Sequence, residues 1–397
     1  MVCLRFMGHS IAFCSTCCQG IITLFPTPAA NLVGIARLAA EGASLSAGHN
    51  VEYFTIGTRS ILNRCNVPRM PFSWTINPYR GCEFACKYCY ARYTHEFMEM
   101  RDGLDFERKI YAKQHTAEQL RRDLRRVKPG EEIAIGTATD PWQPAERRYQ
   151  VTRGIMEELA RHRGLKLGIV TKSTLVLRDL DVLREVARRN QLFVNITITT
   201  LNADLARLLE PRAPRPDLRL DAVSKLVEGG LEAGVICAPV IPGITDAPCD
   251  LDALVRAVAQ AGGKYIYANP LFLKPCSAKV FLPFLEEKFP QLVKSYQARY
   301  GERAFVDTAY RRRISGLMAK LRRKHGLHRE QMASAPAQRR EALDAQGAPR
   351  LRQDLGGATV GTAAGSSEQL DLFTAVAAAS PRTSPASDLP SRRRPAV

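Results

Sequence analysis

Long apolar runs are missing from this 397-residue chain, although hydrophobic residues make up 45% of it. Without roughly 20 consecutive apolar residues there is no candidate transmembrane helix, and no membrane partner is expected. Acidic residues are scarce beside basic ones, 39 Asp and Glu against 57 Lys and Arg, for a formal charge of +18. That imbalance suits polyanionic partners, whose phosphates basic side chains neutralise with release of counterions. A solvated basic face is the plainer reading of the same composition. Eleven cysteines in so long a chain do not make the disulfide framework of a small secreted domain. The apolar run 10–25 is preceded by Arg5 alone and is followed by no convincing small-residue cleavage site. A reducing, cytoplasmic setting is the expectation, with Cys14, Cys17 and Cys18 read as thiols of a tail.

What is present is concentrated in one stretch, Asn-Pro-Tyr-Arg-Gly-Cys-Glu-Phe-Ala-Cys-Lys-Tyr-Cys-Tyr-Ala-Arg over Asn77–Arg92. It places Cys82, Cys86 and Cys89 within eight residues, at a three-then-two spacing. The three sulfurs can converge on one inorganic centre and leave it one ligand short of four. Iron–sulfur clusters are normally held by four Cys thiolates, so a three-Cys loop leaves one iron open to an outside ligand. A structural zinc knuckle and three unrelated buried thiols are the alternatives. Structural zinc sites use paired Cys spacings and close at four ligands, and no second pair follows here.

Along the chain, residues 1–48 are rich in Ala, Gly and Ser without sustained periodicity and read as a poorly ordered extension. Residues 49–330 read as the globular core and 331–397 as a disordered tail. Within the core, strands are predicted at Phe72–Ile76, Glu132–Gly136, Lys166–Thr171, Gln191–Thr199, Gly234–Ile241 and Lys264–Ala268. Helical text separates most of them; Thr116–Gln119 reads as a capping box opening one of those helices. Strand and helix in alternation predict a parallel sheet with crossover helices. In the fourth strand Val194, Ile196 and Ile198 alternate with Asn195, Thr197 and Thr199, so one face is apolar and the other polar. A closed barrel core would want both faces apolar; the polar face therefore predicts an open barrel around a polar ligand, an edge strand being the alternative. Polar residues also gather at the predicted strand ends, at Thr137–Asp140, Lys172–Ser173, Thr197–Thr200 and Asp246.

The Cys loop resembles the signature of the radical S-adenosylmethionine superfamily. The runs Gly136–Glu146 and Thr171–Asp179, with Glu210-Pro211 and Pro239–Asp246, resemble its spore photoproduct lyase-like branch, also described as DNA repair photolyases; the resemblance spans about residues 51–329. It implies an α/β fold, a partial parallel (β/α)6 TIM-like barrel. It implies a [4Fe-4S] cluster on Cys82, Cys86 and Cys89, with S-adenosyl-L-methionine on the open iron. Reductive cleavage would then make a 5'-deoxyadenosyl radical, with electrons from a donor such as flavodoxin or ferredoxin. Tyr88 fills the aromatic place beside the adenine. For the rest of that cofactor the expectations are Asp140 or Thr139 at the amino end, Lys172 at the carboxylate, and Asn195 with Thr197 at the ribose or carboxylate. Read singly, Asp140 before Pro141 is turn chemistry and Lys172 caps a strand. The lyase that names the branch returns hydrogen from a Cys at the end of the second strand; here Thr137 and Ala138 occupy that region. Tyr90, Cys237, Cys249 and Cys276 are candidate substitutes, although buried Cys usually behaves as a small hydrophobe.

Two C-terminal features point toward DNA. A basic helix is predicted over Arg311–Arg329, its apolar face formed by Ile314, Leu317, Met318 and Leu321; snorkelling over the core is the alternative to phosphate contact. Farther on, Gln369, Leu370, Asp371, Leu372 and Phe373 resemble the peptide by which bacterial repair proteins dock on the sliding clamp. The resulting expectation is a radical enzyme acting on damaged or modified nucleic acid, a DNA repair-like lyase. RNA, a peptide or a small molecule as substrate is the first alternative, and a non-catalytic iron–sulfur module for nucleic-acid binding or redox sensing the second.

Overall fold

The computed structural model describes residues 32–327 apart from 49, 68, 69 and 302. The first 31 residues and those after 327, the Gln369–Phe373 peptide among them, lie outside the described residues. The strands are β1 (Ser44–Gly48), β2 (Val51–Ile56), β3 (Leu62–Arg64), β4 (Trp74–Ile76), β5 (Tyr79–Arg80), β6 (Lys109–Lys113), β7 (Glu132–Ile135), β8 (Lys166–Thr171), β9 (Gln191–Thr197), β10 (Glu232–Val240) and β11 (Ile266–Pro270).

Seven of them form one sheet in the order β11-β10-β9-β8-β7-β4-β3. Every neighbouring pair from β4 to β11 is parallel, and only β3 runs antiparallel, against β4. Its terminal strands, β3 and β11, do not pair with each other, so the sheet is an open, partial barrel. The expected parallel α/β core is thus present, with the helices Val151–Leu159, Leu180–Arg189, Pro216–Glu228 and Pro248–Gln260 as crossovers. Buried Ile133, Ile135, Leu167, Ile169, Val194, Ile196, Val235 and Ile266 join helical Ile155, Leu183, Val223 and Leu254 in one apolar cluster. β9 lies inside the sheet, between β8 and β10. Asn195, Thr197 and Thr199 are all buried there, which excludes the edge-strand alternative for its polar face.

A second, four-stranded sheet of order β1-β2-β6-β5 was not expected. Its strands are short and its pairings skip along the chain, β2 beside β6 and β6 beside β5, so no run of alternation announces it. It also corrects the reading of residues 1–48 as a tail. A helix over Gly34–Ala40 buries Ala36 and Ala39, and β1 pairs antiparallel with β2; local composition does not reveal a partner supplied by later residues.

Two other expectations change. The Thr116–Gln119 capping box does not form. His115, in a left-handed conformation, is the N-cap of Thr116–Asp123, and the Gln119 amide instead donates to the Thr58 carbonyl. The basic C-terminal helix is Thr308–Lys324, with Ile314, Met318 and Leu321 buried. Several of its cations are already engaged by the protein. Arg313 pairs with Asp246 at 2.8 Å and Lys324 with Asp252 at 2.9 Å, and Arg322 donates to the Ile266 carbonyl. Asp246, bonded also by Tyr310, is therefore a structural anchor. Among the described residues no helix is long and apolar enough to cross a membrane.

Candidate metal centre

The Cys loop leaves β5 through a turn that only glycine permits. Gly81 has φ +81°, and a Cβ there would stand 2.7 Å from the Lys109 carbonyl and 2.9 Å from that of Phe106. Its carbonyl accepts from the Thr139 hydroxyl at 2.6 Å and the Gln143 amide at 3.2 Å. Next to it, the Glu83 amide donates to Gln143, and the Glu83 carboxylate accepts from Ala145 N and Tyr53 Oη. On the other flank Arg92, buried, donates to the Cys86 carbonyl at 3.0 Å and pairs with Glu107 at 2.7 Å. Backbone and buried side chains therefore fix both ends of the loop.

Cys82, Cys86 and Cys89 are free thiols, and they are close enough to act on one another electrostatically. Burial first, then Asp140 and the two sister thiols, push Cys82 well above the usual thiol range. Burial likewise pushes Cys86 up to about 12, against the pull of Lys172. Such thiols ionise only with a cation to take up the charge, which is what coordination to a metal provides. Among the described residues no group of three or more His, Cys, Asp or Glu converges as the shell of a single metal ion. The donor set and the rigid loop fit a cluster.

The predicted cofactor residues surround this loop in unequal ways. Tyr88 is buried, and its phenol donates to Glu210. Glu210 forms an ion pair with Arg219 at 2.6 Å, both side chains almost wholly buried. Lys172 Nζ lies 5.7 Å from the Tyr88 ring centroid. Burial would lower the Lys172 pKa, but Cys86 and Glu210 outweigh it and hold the ammonium above its ordinary value. Thr199 Oγ1 donates to the same Glu210 carboxylate at 3.2 Å. Strand alternation puts Asn195 and Thr197 on one face of β9, and Thr199, two residues past its end, meets the Glu210 carboxylate that Tyr88 also bonds.

Asp140 and Thr139 serve differently. The Asp140 carboxylate accepts from Thr171 Oγ1 at 2.6 Å, Lys172 N at 2.7 Å and Trp142 N at 3.0 Å. It ties the ends of β7 and β8 together, using three of roughly four acceptor sites. The Thr139 hydroxyl has given its proton to Gly81, so it braces the loop and has none left for a ligand. Asn195 Nδ2 donates to the Ile169 carbonyl at 2.8 Å.

Of the residues considered for returning hydrogen, Tyr90 is nearest the loop. Its hydroxyl donates to the Thr137 carbonyl, and its ring stacks with Tyr93 and tilts against Phe272, with centroids 6.4 and 6.1 Å away. Cys276 Sγ lies 3.6 Å from the Tyr90 carbonyl. Cys237 is buried in β10 against the Thr199 carbonyl, and Cys249 is exposed on the helix Pro248–Gln260. Sequence reasoning gave no part to Arg219, Arg92 or Phe305. Phe305, 51% exposed, stacks on Phe272 at 4.3 Å. A Glu-Pro pair at Glu210 was visible, but its partner Arg219 sits on a later helix with no local mark.

Comparison with known proteins agrees with this geometry. The model of the radical SAM superfamily matches residues 76–255. An uncharacterized protein of Mycobacterium tuberculosis (strain ATCC 25618 / H37Rv) is 35% identical over 278 residues, 68% of this chain and 82% of that one. An uncharacterized protein of Methanocaldococcus jannaschii is 25% identical over 257 residues, 65% of this chain and 91% of its own length. Among solved structures, a spore photoproduct lyase variant with bound AdoMet and dinucleoside spore photoproduct superposes with a TM-score of 0.52 at 16% identity, covering 69% of this chain and 79% of that chain. A second variant of that lyase reaches a TM-score of 0.54 at 14% identity, covering 69% and 80%.

Proposed function

Because the chain belongs to the radical SAM superfamily, whose enzymes use a [4Fe-4S] cluster and S-adenosylmethionine, we propose that it is a radical SAM enzyme acting on damaged or modified nucleic acid. Cys82, Cys86 and Cys89 would hold the cluster. The chemistry supplied by the bound cluster and cofactor is reductive cleavage of the sulfonium, with 5'-deoxyadenosine as the readable product.

The chain's own part is to orient and to exclude water. Glu210, held by Arg219, fixes the Tyr88 phenol, so that ring presents a constant face for an adenine. Lys172 keeps its charge beside the thiols and suits the cofactor carboxylate. The polar face of β9, with Asn195 and Thr197, gives hydrogen bonds to a ribose or carboxylate. Asp140 keeps the Lys172 backbone in register with β7. A reducing, cytoplasmic setting would preserve such a loop, and all seven described cysteines are free.

The observation that carries the substrate class is the aromatic ladder leading out of the centre. Tyr90, at the end of the Cys loop, leans on Phe272, and Phe272 stacks beneath the exposed Phe305. An exposed ring stacked on a half-buried one beside a reactive centre is a platform on which an unstacked base can lie. The net charge of +18 supplies the attraction for phosphates. Anaerobic reconstitution tests the reading. Wild type should release 5'-deoxyadenosine and consume lesions in ultraviolet-irradiated DNA, and Cys86→Ala should lose its iron and both activities. Product formation that ignores nucleic acid altogether would overturn the substrate class and leave the chemistry standing.

A further inference from the structure

On the accessory-sheet side of the Cys loop, buried Lys113 and half-buried Arg80 stand together with no salt-bridge partner among the described residues. Arg80 on β5 and Lys113 on β6 belong to neighbouring antiparallel strands. They line a cavity of about 20 Å³ together with Asn63, Asn77, Thr94 and Ala138. Lys113 is 8% exposed, and neither it nor Arg80 enters any salt bridge among the described residues. Arg80 Nε is buried with no hydrogen-bond partner. The buried arginines elsewhere are matched, Arg92 with Glu107 and Arg219 with Glu210, and buried Lys274 lies over the Tyr93 ring, its Nζ 4.0 Å from the centroid. A buried charge left unmatched is costly, and here a second cation lies beside it. The cost shows in Lys113, where burial and then Arg80 pull the pKa down to about 7.

The cavity is placed to serve the reaction. Asn77 joins its wall to the end of β7, accepting from Ala138 N at 2.8 Å and donating to Thr137 Oγ1 at 3.2 Å. Ala138 also packs in the small cluster that touches Cys82 and Cys89. Thr94 follows Tyr93, which stacks with Tyr90 at the foot of the aromatic ladder. Arg80 and Asn63 are only half-buried, so the cavity opens outward. A volume of about 20 Å³ admits one oxygen-sized atom; it can seat a single oxygen of a larger oxyanion whose remaining atoms stay at the mouth.

We infer that Arg80 and Lys113 form an oxyanion subsite that takes a phosphate of the substrate's nucleic-acid backbone while a base lies on the Phe305 ladder. Lys113 gives a point charge and Arg80 a planar donor fork, the pair of donors that phosphate recognition uses. This inference rests on the nucleic-acid reading above for the identity of the ligand, and on the two unpaired cations for the existence of the site.

The test uses the full chain with two probes, inorganic phosphate in thermal melts at constant ionic strength and a short single-stranded oligonucleotide in a binding titration. Phosphate should raise the melting temperature of wild type. Lys113→Met and Lys113→Gln should weaken both phosphate protection and oligonucleotide affinity by about tenfold, the loss of one charge-assisted contact. Melts without phosphate check that the variants fold. If phosphate does not protect wild type, or protects the variants equally, the subsite is overturned even where the oligonucleotide still binds, and the nucleic-acid reading survives. If phosphate protection vanishes in the variants while their oligonucleotide affinity is unchanged, the assignment to a nucleic-acid phosphate is overturned.

Discussion

Lys172, just past β8, and Lys113, at the end of β6, are both withdrawn from water close to the Cys loop, and their surroundings treat them in opposite ways. Around Lys172 the protein supplies an anion of its own, the buried Glu210 carboxylate, with the Cys86 sulfur alongside, and the ammonium is held above its ordinary value. Around Lys113 there is only another cation, and the pKa is pulled to about 7. The first arrangement is complete before any substrate arrives and belongs to the cofactor side. The second is incomplete, and an anion from outside would complete it. One loop thus divides a finished half of the centre from a half that awaits its ligand.

The comparison breaks hardest at Glu210. Glu210→Gln removes the carboxylate that neutralises Arg219, bonds Tyr88 and supports Lys172, leaving Arg219 buried beside no anion. We expect a loss of about 3–5 kcal/mol in urea unfolding, the cost of stripping one partner from a buried pair. The double change Glu210→Gln with Arg219→Met should recover much of that loss, because no unmatched charge remains. A loss no greater than for an exposed pair such as Arg215 with Asp217, where both side chains are more than half exposed and about 0–1 kcal/mol is expected, would show that the cofactor side is not compensated as described.

Lys113 gives the opposite sign. Its folded pKa of about 7 lies below the ordinary 10.5. Between those values the unfolded chain keeps a proton that the folded chain releases, so wild-type stability rises with pH across that window. Below about pH 7 both states are protonated and the penalty is fully present. Lys113→Met should therefore be on the order of 2 kcal/mol more stable than wild type near pH 6, with the gap closing toward pH 10. Burial pulls Arg80 down to about 10, at the upper edge of the window, and His95, pulled by burial to about 4, titrates below it. Saturating phosphate should narrow the gap by restoring an anion to Lys113. A pH-independent difference between the two proteins would remove Lys113 from the incomplete half.

The finished half was the more legible in the sequence, for a physical reason. The three-then-two Cys spacing, the alternation in β9 and the strand-end residues Asp140 and Lys172 are local signals, and sheet order followed chain order from β7 to β11. Thr139 and Asp140 follow the end of β7, and their hydrogen bonds go to Gly81 and to the end of β8, which spacing alone does not show. The accessory sheet was invisible because its neighbours are far apart in the chain, Tyr79 opposite Ala112 and Val51–Ile56 beside Lys109–Lys113. The Lys113 cavity was invisible for the same reason. A cation reads as surface until the fold shows what fails to stand next to it.

Phe305 tests the open half with the smallest disturbance to the fold. Its ring is 51% exposed and its chief partner is the Phe272 ring beneath it, so Phe305→Ala should cost about 1 kcal/mol of stability. If a base lies on that ring, binding of a single-stranded oligonucleotide should weaken by about 1–3 kcal/mol, or roughly fivefold to a hundredfold in Kd. The salt dependence should stay as in wild type, because no phosphate contact is removed. Lys113→Met should do the reverse, flattening the dependence on salt by about one counterion. The two variants therefore separate stacking from charge within the same half. An equal salt slope in both would mean that Phe305 and Lys113 do not meet one substrate.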